Sequence, residues 1–144
     1  MIGFFYIILV VYGILILRYT LGWFALPKVA VAGKYTPKVS VLIAMRDEEL
    51  QIEKLISALQ QQAYPTNSLE ILVVNDHSTD TTSTLLQRAV ERYSNLRVVD
   101  MPKGKFGKKN AIALGVSKAT GEIILSTDAD CVFEKNWIIT MVSY

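Results

Sequence analysis

Asp128-Ala129-Asp130 follows the apolar run Ile123-Ile124-Leu125 after only Ser126-Thr127. Two carboxylates at i and i+2 of extended chain stand on one side of the backbone. Their hard oxygens suit Mg²⁺ or Mn²⁺, with coordination completed by waters and phosphate oxygens. An Asp-x-Asp alone is weak, because aspartate at ~5% frequency yields one by chance in roughly a third of chains this long. Its position at the end of an apolar run raises it above a solvated turn. Asp76 sits similarly, one residue beyond Leu69-Glu70-Ile71-Leu72-Val73-Val74-Asn75. Its carboxylate can accept hydrogen bonds from a nucleobase imide or a ribose hydroxyl.

Other polar residues carry less. Asp80, or Ser78, reads as the cap of a following helix. His77 is the only histidine and has no partner pattern for a zinc site or a catalytic triad. Lys103, Lys105, Lys108 and Lys109 surround Gly104 and Gly107, a solvated basic loop able to approach a diphosphate. The spacing is not that of a Walker loop, and no Gly-x-Gly-x-x-Gly follows the first apolar run. Cys131 reads as a small buried residue.

The elements that must position these residues alternate along the chain. Val39–Met45 is a near-continuous apolar run, read as a buried strand ending in Arg46-Asp47-Glu48-Glu49. Ile52, Leu55, Ile56 and Leu59 then fall at i, i+3, i+4 and i+7, the stripe of a surface helix that Tyr64-Pro65 terminates. Strands are expected at 69–74, 96–99 and 122–127. Helical stripes are expected at Leu86, Ala89, Val90 and Tyr93, and at Ile112, Gly115, Val116 and Ala119. A last helix starts near Lys135, with Trp137, Ile138 and Met141 on its stripe. The order β-α-β-α-β-α-β predicts an α/β, Rossmann-like, mostly parallel sheet with helices on both faces. Ligands of such sheets bind outside the carboxyl ends of the strands, where residues 46–49, 75–80, 100–109 and 128–130 collect.

Residues 1–26 differ from the rest, being apolar at 21 positions with Arg18 as their one charge. About 25 helical residues reach roughly 37 Å, enough to cross a bilayer. Arg18 can snorkel near one end, with Tyr19, Trp23 and Phe24 at headgroup level. Ala30-Val31-Ala32 resembles a signal-peptidase site, but the apolar run is long and lacks a preceding basic residue. Arg18, Lys28, Lys34 and Lys38 cluster on its C-terminal side, which predicts one span with the following part in the cytosol. Residues 1–26 are thus read as an anchor, 27–37 as a linker and 38–144 as one soluble part. With 15 basic and 13 acidic residues, the chain lacks the basic excess of a nucleic-acid-tracking surface. The lone cysteine suits a reducing compartment.

Four blocks carry a family resemblance: Val39–Glu49, Val73–Asp80, Lys108-Lys109-Asn110-Ala111 through Ile124, and Asp128-Ala129-Asp130. In this order, over roughly residues 38–142, they resemble the family 2 glycosyltransferases with the GT-A fold. The resemblance implies a UDP- or GDP-sugar donor, Mg²⁺ or Mn²⁺, inverting transfer, and a glycan or lipid-linked acceptor at the membrane. Ala44, Arg46 and Glu48 stand where the family places its first nucleotide contacts. Asp76 stands at the base- or ribose-binding aspartate, and Asp128 and Asp130 at the metal- and diphosphate-binding pair. Ala44 replaces a frequent proline and Asp47 a frequent asparagine, while Asn75 and His77 flank Asp76 where aspartate and glycine are common. The family's general base lies well beyond the Asp-x-Asp. The expectation is therefore a truncated, donor-binding half whose base lies beyond Tyr144 and which does not transfer sugar alone. The rival readings are a non-catalytic membrane-anchored nucleotide- or partner-binding module, and a nucleotidyltransferase, whose Gly-rich loop after the first strand is missing here.

Overall fold

A computed structural model describes residues 2–25 and 36–143. The chain divides into two compact units, Met1–Ala30 and Val31–Tyr144. Leu26, most of the expected linker with Lys28 and Lys34, the Ala30-Val31-Ala32 tripeptide and Tyr144 lie outside the described residues.

In the first unit, helix α1 spans Ile2–Phe24. Its 23 residues rise about 35 Å, so it is long and apolar enough to cross a membrane. Its described side chains are exposed throughout. The Thr20 hydroxyl donates to the Ile16 carbonyl at 2.8 Å, which satisfies that polar group within the helix itself.

The second unit is built on strands β1 (Val39–Met45), β2 (Leu69–Asn75), β3 (Leu96–Asp100) and β4 (Ile123–Thr127). Between and after them come helices α2 (Ile52–Gln60), α3 (Thr82–Arg92), α4 (Lys108–Lys118) and α5 (Trp137–Val142). All strand pairs are parallel, in the order β3-β2-β1-β4. Val39 of β1 aligns with Leu69 on one side and Ile123 on the other. β1 and β2 are the central strands, which is why both read as apolar runs. Their side chains alternate between two cores. Val39, Val41, Ile43, Ile71 and Val73 face a cluster with α2, α3 and α5, whereas Leu42, Leu72 and Val74 face one containing Ala111 of α4.

The stripe of α2 is as expected, with Ile52, Leu55, Ile56 and Leu59 all buried. Three other stripe positions are corrected. Val90 is 40% exposed, Val116 50% and Met141 47%. In α3 the buried Thr82 and Leu86 set the inward face. In α4 the inward face is rotated onto Ala111 and Gly115, because small residues let the helix approach the sheet. A Cβ on Gly115 would lie 2.1 Å from the buried Leu42 Cδ1, and one on Gly121 only 2.5 Å from the Ser40 backbone nitrogen. In α5 only Ile138 is fully buried.

The strand order also locates a crevice. The chain moves from β1 outward through β2 to β3, with α2 and α3 on one face. It then crosses by α4 on the other face to place β4 on the opposite side of β1. The direction reverses between β1 and β4, and at such a switch point the loops leaving the two strands part at their carboxyl ends.

Candidate functional site

A cavity of about 420 Å³ occupies that crevice. The end of β1 and the loop after it contribute Ala44, Arg46 and Glu48, the end of β2 contributes Asp76, and the loop after β4 contributes Asp128 and Asp130. All six residues singled out from the sequence therefore line one space. A second cavity of about 350 Å³, between α2 and α3, has Arg88 and Arg92 beside apolar side chains. It lacks the convergence of carboxylates found at the switch point.

Asp76 is the most constrained of the six, at 5% exposure. Its N–H donates to the Met45 carbonyl at 2.8 Å, and its Oδ2 accepts from the Gly107 N–H at 2.7 Å. Its Oδ1 is buried with no hydrogen-bond partner. An unpaired carboxylate oxygen in that position costs the chain free energy unless a donor arrives, so it marks a place for a ligand N–H or O–H.

Asp128 and Asp130 reach the cavity differently from the extended geometry expected of them. The chain turns at Ala129-Asp130, with the Cys131 N–H 3.4 Å from the Asp128 carbonyl. The buried Ala129 pins this turn while both carboxylates stay exposed. The turn also brings Cys131 to the surface, correcting its reading as a buried residue. The Lys108 ammonium lies 2.6 Å from Asp128 Oδ1. That hydrogen bond holds the Lys108 pKa above its ordinary value, against the opposing effect of burial.

Lys108 thus places a positive charge beside the carboxylate pair, whose hard oxygens are of the kind Mg²⁺ or Mn²⁺ prefers. Among the described residues no group of three Asp, Glu, His or Cys side chains converges. A cation here would complete its shell with diphosphate oxygens and waters.

Gly107 and Lys108, read from the sequence as part of a solvated basic loop able to approach a diphosphate, form part of this wall. Gly107, at φ 91°, is the N-cap of α4, and Lys108 is the first helical residue. The available signal was a glycine followed by a helical stripe. His77 holds the same loop, with Nε2 3.1 Å from the Lys105 carbonyl and its ring 4.7 Å from that of Phe106. The N-cap of α3 is Thr81, which makes no side-chain cap bond, rather than Asp80 or Ser78; Asp80, one residue earlier, accepts from the Thr82 N–H with its Oδ1 at 2.9 Å. Among the described residues, Asp47 and His77 are the non-glycine positions with positive φ, at 53° and 56°. Both lie in loops at the carboxyl ends of strands, where strained backbone tends to gather at sites.

The family pattern described as Glycosyl transferase family 2 matches residues 40–144. The probable glycosyltransferase YdaM of Bacillus subtilis is 35% identical over 119 residues, covering 81% of this chain and 28% of YdaM. The beta-monoglucosyldiacylglycerol synthase of Synechocystis is 31% identical over 109 residues, covering 75% of this chain and 23% of the synthase. The chain thus spans about a quarter of the length of these relatives. Among solved structures, the mannosyltransferase PcManGT of Pyrobaculum calidifontis, in complex with GDP-Man and Mn²⁺, superposes with a TM-score of 0.78 at 30% identity. It covers 92% of this chain and 40% of its own. Sequence pattern and sheet topology agree, and the chain belongs to glycosyl transferase family 2, with the α/β architecture of the GT-A fold.

Proposed function

We propose that residues 38–144 form the donor-binding part of a glycosyltransferase that moves a sugar from a UDP- or GDP-sugar to an acceptor hydroxyl with inversion. The buried, unpartnered Asp76 Oδ1 beside a carboxylate pair at the switch point carries this reading. Asp76 accepts from the base or ribose, while Ala44, Arg46 and Glu48 line the nucleotide's side of the cavity. Asp128 and Asp130 would hold Mg²⁺ or Mn²⁺, which would supply stabilisation of negative charge on the leaving diphosphate. PcManGT, held with GDP-Man and Mn²⁺, supports this assignment of donor and metal. The cavity's carboxylates are assigned to the donor, and none of them is assigned as the base that takes the acceptor's proton. The 144-residue chain is expected to bind donor without transferring its sugar.

Asp76→Asn tests the reading. It places an amide where a second acceptor is needed, so UDP or GDP affinity with Mn²⁺ should fall by about tenfold or more. Isothermal titration on the full chain in detergent measures this. A wild type that binds neither nucleotide, or a variant that binds equally well, rejects the assignment.

The acceptor is proposed to be a glycan or a lipid-linked molecule. α1 and the lipid product in the Synechocystis relative's name support the lipid alternative. α1 is proposed as a single span in the cell membrane, with the sheet unit in the cytosol, because Arg18, Lys28, Lys34 and Lys38 lie toward its C-terminal side. Protease added to intact cells should then spare residues 38–144. Their digestion from outside rejects this topology.

A further inference from the structure

We propose that Asp47 is a positioning residue, whose carboxylate ties the loop after β1 to the loop after β2 and so presents Arg46 and Glu48 to the donor cavity. This rests on the donor-binding reading above. In sequence Asp47 lies between the cavity residues Arg46 and Glu48, and it does not itself line the cavity.

Its Oδ1 accepts three hydrogen bonds from the opposite loop: the Thr79 N–H at 2.6 Å, the Thr79 hydroxyl at 3.2 Å and the Asp80 N–H at 3.4 Å. Its Oδ2 lies 3.6 Å from Arg46 Nε. The Thr79 amide holds the Asp47 carboxyl below the ordinary aspartate range, in keeping with an anion received by N–H donors.

Further bonds join the loop after β1 to the loop after β2 and to the first residue of α3. The Asp47 N–H donates to Ser78 Oγ at 3.1 Å, the Glu48 N–H to Thr82 Oγ1 at 2.9 Å and the Glu49 N–H to Asp80 Oδ2 at 3.2 Å. In return the Thr81 N–H and hydroxyl donate to Glu49 Oε2, at 3.1 and 2.6 Å. Two site loops, each lacking regular structure, are thereby laced into one wall.

The backbone of residue 47 explains why a side chain must do this. At φ 53° it occupies the left-handed region, which residues carrying a Cβ disfavour. Without the three bonds to Oδ1 the loop would relax toward other conformations, and Arg46 and Glu48 would have to be ordered when the nucleotide binds. Ordering them beforehand lowers the entropic cost of binding. The core around α2 and α3 contains none of residues 46–49 or 78–82, so the effect should fall on affinity more than on global stability.

Three substitutions separate acceptor, charge and backbone strain: Asp47→Asn keeps an Oδ1 and tolerates positive φ, Asp47→Gly removes the acceptor and the strain, and Asp47→Ala removes the acceptor and keeps the strain. Full-length protein in detergent is compared by deuterium exchange without ligand, by titration of UDP and GDP with Mn²⁺, and by thermal melting. Asp47→Gly and Asp47→Ala should exchange faster at 46–50 and 79–81 and bind about tenfold more weakly, with melting shifted by only about 3 °C. Asp47→Asn should stay near wild type in all three. A glycine variant that binds like wild type, or an asparagine variant as weak as alanine, overturns the proposal. If wild type binds neither nucleotide while exchange still follows the acceptor, the donor-binding reading fails and the loop lacing stands.

Discussion

Replacing Asp128 and Asp130 together by asparagine is expected to weaken Mn²⁺-dependent nucleotide binding by about a hundredfold while leaving the fold intact. The two carboxylates are exposed, and the partner of Asp128 is the equally exposed Lys108. An ion pair this exposed is screened by water and contributes little, and two neighbouring carboxylates repel each other when no cation lies between them. The turn that carries them is pinned by Ala129, which the substitution does not touch. Stability should therefore change by less than about 1 kcal/mol. Calorimetric titrations of UDP and GDP, with and without Mn²⁺, on wild type and the double variant give the answer. Wild-type affinity that ignores Mn²⁺, or a double variant that binds as tightly as wild type, would remove the metal from these residues.

The largest stability effect is expected at the other end of the sheet. Glu70, at the start of β2, is buried and accepts hydrogen bonds from three directions. Ser40 Oγ of β1 and the Thr120 N–H, the latter at 2.8 Å, donate to Oε2, and Arg97 of β3 donates to Oε1. The Gly121 N–H in turn donates to Ser40 Oγ at 2.8 Å. One carboxylate thus ties together β1, β2, β3 and the chain entering β4. Burial pushes its pKa up, but the bonds from Ser40, Thr120 and Arg97 outweigh that and bring it from 4.5 down to about 2.

A folded-state pKa below the unfolded value stabilises the protein above the unfolded pKa. That stabilisation is lost as pH falls through the folded one. The shift corresponds to about 3 kcal/mol, at roughly 1.4 kcal/mol per unit. The melting temperature should be level near neutral pH and fall steeply between about pH 4.5 and pH 2. Glu70→Gln should cost about 3 kcal/mol at pH 7, or about 10–20 °C in melting temperature, and should flatten that acid dependence. Circular dichroism melts across pH test this, and a variant with the wild-type profile would show that the network is not the source. Nucleotide affinity of the folded variant should be preserved, because Glu70 lies at the end of the strands opposite the cavity.

Much of the arrangement is readable from local pattern. A strand buried on both faces needs an unbroken apolar run, and a helix on one face needs a stripe, so 39–45, 69–74 and the stripe from Ile52 to Leu59 are visible without coordinates. β-α alternation implies a parallel sheet, and a parallel sheet sends its polar loops to one end. That is why Ala44, Arg46, Glu48, Asp76, Asp128 and Asp130 could be grouped before their distances were known. The four ordered blocks also identify the family, since each preserves residue types at fixed spacing.

What tertiary packing alone decides is anything set by a neighbour distant in sequence. Val90, Val116 and Met141 are apolar and correctly spaced, yet helix rotation is fixed by how close a helix can come to the sheet, and Ala111 and Gly115 turn α4 away from Val116. Cys131 is exposed because a turn, not an extended strand, follows Asp128. The pairing of Lys108 with Asp128, of Gly107 with Asp76 and of Asp47 with Thr79 spans 20 to 32 positions. A spacing pattern records periods of two or 3.6 residues within one element. Hydrogen bonds between loops at the ends of different strands have no such period, so the anchoring of the cavity wall emerges only once the strands are side by side.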